Sequence, residues 1–214
     1  MISNKPCIAI SLRIVKAQNY DETRDALSHD WPQFLENIGI IPIYIPNNLM
    51  NVKNYLSAFG IDGLILSGGD NLGIDPIRDE TETELLEYAI NKKIPILGIC
   101  RGLQLINQYF GGSLTENDTD AHVGTKHHLD IVDKKLQKIL NSSEITTNSF
   151  HRNIILDSDL SSELTPIAIH REDNTVEAAL HNTLPILGLM WHPERKPEYY
   201  DREIVNSIFK KKFF

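Results

Sequence analysis

Apolar residues in the first half of the chain fall into two alternating patterns. Short runs dominated by isoleucine and leucine occur at Cys7–Ile14, Ile41–Ile45, Gly63–Leu66 and Pro95–Ile99. Runs that are apolar on both faces predict parallel strands covered by helices on either side. Between them the spacing changes. Trp31, Phe34, Leu35 and Ile38 follow i, i+3, i+4, i+7, with Gly39 as a stop. Within Glu84–Lys92, Leu85 pairs with Ala89 and Leu86 with Ile90, and Pro95 ends the pattern. After Cys100 a further helix is predicted through Leu103, Leu105, Ile106 and Phe110, closed by Gly111-Gly112. This alternation predicts βαβ units and an α/β fold, a doubly wound, mostly parallel sheet flanked by helices.

The second half is less periodic. Residues 113–165 are polar and hold short β-prone pieces, Leu129–Val132 and Glu144–Thr147, which read as a small β excursion. Strands are predicted at Ile167–His170 and Thr175–Leu180, either side of the turn-like Glu172-Asp173-Asn174, and at Pro185–Met190. Tyr200, Ile204, Val205, Ile208 and Phe209 outline a closing helix, and Lys210–Lys212 suits the negative end of its dipole. No repeat, low-complexity tract or linker interrupts the chain, so residues 1–214 are expected to form a single domain.

Composition narrows the class. With 214 residues, 41% apolar and 23% charged, the chain is neither disordered nor fibrous. A formal net charge of −8 argues against a nucleic-acid surface. No apolar run approaches the roughly 20 residues of a membrane helix. The stretch Cys7–Leu12, followed at once by Arg13, is expected to be a first strand rather than a signal peptide. Two cysteines, Cys7 and Cys100, make no disulfide scaffold, and a cytoplasmic protein is expected.

Candidate chemistry gathers where predicted strands end. Cys100 lies between a buried strand and a helix, with Gly98 and Gly102 at minus two and plus two. That is the cysteine form of a nucleophile elbow. The glycines would permit a sharp turn and a close approach by substrate. The helix N-terminus is expected to lower the thiol pKa and offer oxyanion donors. Cys7 reads as structural. Among eight histidines, His192 follows the last predicted strand, and Glu194 shares its face two residues on. A base oriented by a carboxylate is the logic of a catalytic triad. Gly68-Gly69 ends another strand, where a positive φ could expose a second oxyanion donor.

Gly98-Ile99-Cys100-Arg101-Gly102-Leu103-Gln104, Gly111-Gly112-Ser113-Leu114, Asn148-Ser149-Phe150-His151 and Trp191-His192-Pro193-Glu194 together resemble the class I glutamine amidotransferase superfamily, and within it the γ-glutamyl hydrolase branch. The resemblance implies a flavodoxin-like amidotransferase architecture and hydrolysis of γ-glutamyl amides with no cofactor. It implies Cys100 as nucleophile, His192 as base and acid, and Glu194 as its orienting partner. Oxyanion donors would be the backbone amides of Gly69 and Arg101, with Gln104, Asn148, Ser149 and Phe150 around the glutamyl group. Arg101 follows the nucleophile where ammonia-channelling members usually carry an uncharged residue, which favours the hydrolase branch. Arg152-Asn153 departs from the His-Gln common in γ-glutamyl hydrolases and leaves the leaving-group pocket open.

The short chain and this departure resemble a bacterial branch acting on γ-glutamyl-CDP-amidate in capsule modification. Arg13, Lys16, Arg101 and Arg152 are then candidate phosphate contacts, although Arg13, Lys16, Arg24 and Arg78 also read as plain surface charges. Two other readings stand beside the hydrolase: a glutaminase subunit supplying ammonia to a separate synthetase, and a non-enzymatic binding member of the fold. The expected partner is a small-molecule γ-glutamyl substrate, with no nucleic acid or membrane and room for a homo-oligomer. Asp120, His122, His127, His128 and Asp130 lack a helical HExxH or paired-cysteine spacing, so no metal site is expected. His151 reads as a pocket or packing residue.

Overall fold

A computed structural model describes residues 5–117 and 119–210. Its thirteen strands and six helices follow the chain as β1 (Cys7–Ser11), β2 (Arg13–Lys16), β3 (Thr23–Ala26), α1 (Asp30–Asn37), β4 (Ile41–Ile45), α2 (Val52–Ser57), β5 (Gly63–Leu66), α3 (Pro76–Lys92), β6 (Ile96–Ile99) and α4 (Arg101–Tyr109), then β7 (Thr115–Glu116), β8 (Val123–Ile131), α5 (Lys134–Leu140), β9 (Glu144–Phe150), β10 (Asn153–Ile154), β11 (Leu164–His170), β12 (Val176–His181), β13 (Ile186–Leu189) and α6 (Tyr199–Phe209). Nine strands form one sheet in the order β4-β1-β5-β6-β13-β12-β11-β8-β9. The first five are mutually parallel and the remainder antiparallel.

The alternation of β1 explains the two-layer covering. Ile8 and Ile10 pack with Trp31, Phe34 and Leu35 of α1 and with Ile204, Val205 and Ile208 of α6. Ala9 faces the other way, into a layer built from Leu56 of α2, Leu85 and Leu86 of α3, and Leu103 and Ile106 of α4. Burying both faces is what an all-apolar parallel strand requires.

Several expectations change. The run Cys7–Ile14 divides at Leu12, and β2 leaves the sheet to form a hairpin with β3. The helix read at Glu84–Lys92 starts at Pro76, where Asp75 caps the backbone amides of Ile77 and Arg78. Within the small β excursion, β7 and β10 form a two-stranded sheet of their own, while β8 and β9, with β11 and β12, continue the main sheet beyond β13. Lys211 and Lys212 lie outside the described residues. Among the described residues no helix is long and apolar enough to cross a membrane.

Candidate active site

Cys100 occupies the single-residue turn between β6 and α4 at φ +51° and ψ −104°. This is a sparsely populated conformation for a residue with a Cβ, and such strain gathers at functional turns. The flanking glycines serve a different need from the one expected. A Cβ on Gly98 would lie 2.5 Å from Ile106 Cδ1, and one on Gly102 would lie 2.2 Å from Leu66 O. They let α4 lie almost on the sheet, while the cysteine itself takes the strained turn.

Cys100 is 5% exposed and lines a cavity of about 430 Å³ with Gly69, Asp70, Gln104, Phe150 and Arg152. Burial pushes its thiol up to about 12, although a hydrogen bond from the Arg101 backbone amide acts in the other direction. The expected lowering by the helix start is therefore reversed, because desolvating a thiolate costs more than one amide returns.

His192 follows β13, which pairs with β6 in a register that sets Leu189 beside Ile99. The Cys100 backbone N–H donates to Leu189 O at 2.7 Å, so the two strand ends are fastened together. His192 Nδ1 meets Glu194 Oε1 at 2.8 Å, with both side chains buried. That contact leaves Nε2 as the free nitrogen. Gly68 seats the ring, since a Cβ there would lie 2.7 Å from His192 Cε1.

Asn148 is placed differently from its expected role at the glutamyl group. Its side chain accepts from His192 N at 2.9 Å and donates to His192 O at 2.8 Å, clamping the histidine backbone. Ser149 is also turned away: its hydroxyl donates to His122 O at 2.7 Å and is fully buried. Phe150 and Gln104 do line the cavity. The Arg195 guanidinium lies 4.6 Å from the centre of the Phe150 ring, a contact that no motif in the sequence singles out.

Gly69 adopts φ +153°, where a side chain would meet Arg78 Nη1 at 2.3 Å and Arg13 Nε at 3.2 Å. Arg78 is no surface charge. It is buried, bonded to Glu82 and to the carbonyls of Ser67 and Gly68, and so braces the glycine turn. The Arg101 side chain, read as a phosphate contact, is likewise buried and ion-paired with Glu82 and Asp79. Burial presses both guanidiniums down to about 10. Lys16 donates to Thr23 across the β2–β3 hairpin. Arg152 is half-exposed at the cavity wall and pairs with Asp120 at 2.8 Å.

Of the histidines and carboxylates set aside as unsuited to metal, the fold gathers only two. His122 and His127 are buried against His151 and Glu177, the last of which attracted no notice in the sequence. His128 turns out to Thr146, Asp130 pairs with Arg171, and Asp120 pairs with Arg152. His151 and Glu177 come from segments distant in sequence from His122 and His127, so local spacing carried no signal.

A cysteine elbow at the end of a parallel strand, a glycine turn on the same cavity wall and a His–Glu pair after the neighbouring strand fit a class I glutamine amidotransferase-like hydrolase. The chain belongs to the peptidase C26 family, whose model matches residues 6–194. It is 29% identical to the γ-glutamyl-CDP-amidate hydrolase of Campylobacter jejuni, over 94% of this chain and 96% of that protein. It is 32% identical to the glutamine amidotransferase-like protein YvdE of Lactococcus lactis, over 79% and 81% of the two chains. A crystal structure described as a GMP synthase component from Thermoplasma acidophilum superposes with a TM-score of 0.72 at 25% identity, covering 97% of this chain and 94% of that one.

Proposed function

We propose that the protein hydrolyses a γ-glutamyl amide through a thioester on Cys100. The observation that carries this reading is the strained, buried cysteine on the cavity wall, at the end of a strand paired with the one that leads to the histidine oriented by Glu194. His192 Nε2 takes the thiol proton as Sγ bonds to the γ-carbonyl carbon. The resulting oxyanion is met by the backbone amides of Arg101 and Gly69. His192 then protonates the leaving nitrogen, the C–N bond breaks, and the γ-glutamyl thioester remains. Water, giving a proton to His192, cleaves the thioester and releases glutamate and the thiol. Gln104 and Phe150 bound the glutamyl group, and Asn148 acts through His192.

The substrate class best supported is a γ-glutamyl conjugate whose leaving group carries phosphates, as in γ-glutamyl-CDP-amidate. Similarity over nearly the whole chain to a hydrolase of that compound supports it, as does Arg152 on the cavity wall with Arg13 behind Gly69. Charge-assisted contacts of this kind are worth roughly 1.5–3 kcal/mol each. Arg152→Ala and Arg13→Ala are each expected to lower kcat/KM for the nucleotide amidate about tenfold or more, leaving glutamine and γ-glutamyl-γ-aminobutyrate nearly unchanged. Equal or better turnover of the two non-nucleotide compounds by the wild type would overturn the substrate and leave the hydrolase standing. Similarity to a glutamine-hydrolysing GMP synthase component of Methanocaldococcus jannaschii, 29% identical over 82% of this chain, favours a second reading as a glutaminase that feeds a separate synthetase. Turnover of γ-glutamyl amides by the isolated chain separates the two.

A further inference from the structure

At the cavity wall, which His151 helps to line, His122, His127, His151 and Glu177 converge with ligand-capable atoms all within 4.8 Å of one another. His122 precedes β8, His127 lies on β8, His151 follows β9, and Glu177 belongs to β12. All four side chains are buried. The mechanism proposed above uses none of them.

Several of their buried polar atoms have no hydrogen-bond partner: His122 Nδ1 and Nε2, His127 Nε2, His151 Nε2 and Glu177 Oε2. His151 Nδ1 lies 3.0 Å from the Asn153 carbonyl, which can only accept, so Nδ1 carries the hydrogen. In the neutral ring Nε2 is then a bare lone pair, yet it faces Glu177 Oε1 at 3.5 Å. His122 Nε2 lies 2.8 Å from Asp173 Oδ2 but off the donor direction, and Nδ1 lies 3.9 Å from Glu177 Oε1; neither nitrogen has a hydrogen-bond partner. Ring nitrogens of two histidines and a carboxylate oxygen thus meet in a buried space. His127 Nδ1 joins them at 3.0 Å from Oε1.

We infer that this cluster is a binding site for a divalent transition-metal ion of the zinc class, held by His122 Nδ1, His127 Nδ1, His151 Nε2 and Glu177 Oε1. Four-coordinate zinc with bonds of roughly 2.0–2.1 Å sets its ligand atoms roughly 3.3 Å apart. The three distances to Oε1 bracket that value. In a metal site's outer shell a ligating imidazole gives its other N–H to a carboxylate or carbonyl, a form that His151 has. Asn153 O supports His151 in this way, and Asp173, itself held by His170 at 2.8 Å, stands beside His122. Three nitrogens and one oxygen in a closed, buried setting suit zinc rather than magnesium or calcium, which prefer oxygen ligands. With four protein ligands the ion has no open position, so it fastens the β8–β9 hairpin to β12 behind Phe150 and Arg152 and supplies no catalytic water.

The test is metal analysis and Co²⁺ substitution of the full-length protein, with Cys100→Ala alongside to exclude the thiol as ligand. The wild type should bind one zinc per chain. After chelation it should take up one Co²⁺ per chain with the visible absorption of a four-coordinate ion, unchanged in Cys100→Ala. Glu177→Gln and His151→Asn should weaken uptake at least tenfold. Should either variant fail to fold, X-ray absorption on the Co²⁺ wild type should still return imidazole ligation with a low-Z oxygen. Failure of the wild-type apoprotein to take up Zn²⁺ or Co²⁺ would overturn the inference. Undiminished uptake by a folded Glu177→Gln, or loss of the Co²⁺ spectrum in Cys100→Ala, would overturn it as well.

Discussion

A thiol that burial holds near 12 is neutral in the resting protein, so its proton must leave as the sulfur attacks. Alkylation of Cys100 in the free protein by iodoacetamide should therefore rise about tenfold per pH unit from pH 7 to 10. Peptide-resolved mass spectrometry reads this rate, and a plateau below pH 8 would mean a preformed thiolate and contradict the account. Gly68 offers a second single-residue probe. Its Cβ would press on His192 Cε1 at 2.7 Å, where the neighbour is a ring and not the protein backbone. Gly68→Ala should lower kcat at least tenfold while thermal unfolding moves by only a few degrees. Unchanged kcat would show that the imidazole has freedom the structure does not suggest. The strand-end cysteine, the His–Glu pair and the Gly68-Gly69 turn were legible at this scale because each is a contiguous motif. The side-chain contacts of Asn148, Ser149 and Arg101 were not, because a motif names residues without saying where their side chains point.

Strands and helices were legible where one period ran long enough. β4 and β5 have the expected bounds, and β6, β13, α1, α4 and α6 lie within a residue or two of them. α2 and α5 escaped notice because each is short and buries only two residues, although Asn51 and Asp133 cap them through the amides of Asn54 and Leu136. The closing helix also carries a group no local pattern reveals. Asp201 accepts from Trp191 Nε1 at 2.9 Å and from Glu198 N at 2.9 Å, tying α6 to the segment before His192. Burial nonetheless raises its carboxyl to about 7, outweighing those hydrogen bonds. A carboxyl raised on folding adds stability that is complete below its unfolded value near 3.8 and is lost as pH rises to about 7. The stability of the wild type relative to Asp201→Asn should fall between pH 4 and 7, by on the order of 4 kcal/mol at most, and level off above. Urea unfolding across that range measures it, and a flat difference would contradict the buried, protonated carboxyl.

Across the whole molecule, the sheet changes character beside the cavity. Parallel β6 and β13 carry Cys100 and His192 at their ends, and antiparallel β12, β11, β8 and β9 continue on one side and supply Phe150 to the wall. Strand ends of an open parallel sheet form such a crevice, which is why Cys100 and His192 could be expected on one edge from chain order alone. The antiparallel half could not be read so far, since residues 113–165 hide long-range pairings such as Val123 with Phe150 behind a polar composition. The central claim is that Cys100 becomes a γ-glutamyl thioester. Its most direct test is rapid quenching of the protein with a γ-glutamyl amide, followed by intact and peptide mass spectrometry. A γ-glutamyl adduct on the peptide bearing Cys100, forming and decaying at rates that support turnover and absent from an inactive Cys100→Ala, is the predicted result. Full turnover by Cys100→Ala, or an adduct on any other residue, would contradict it.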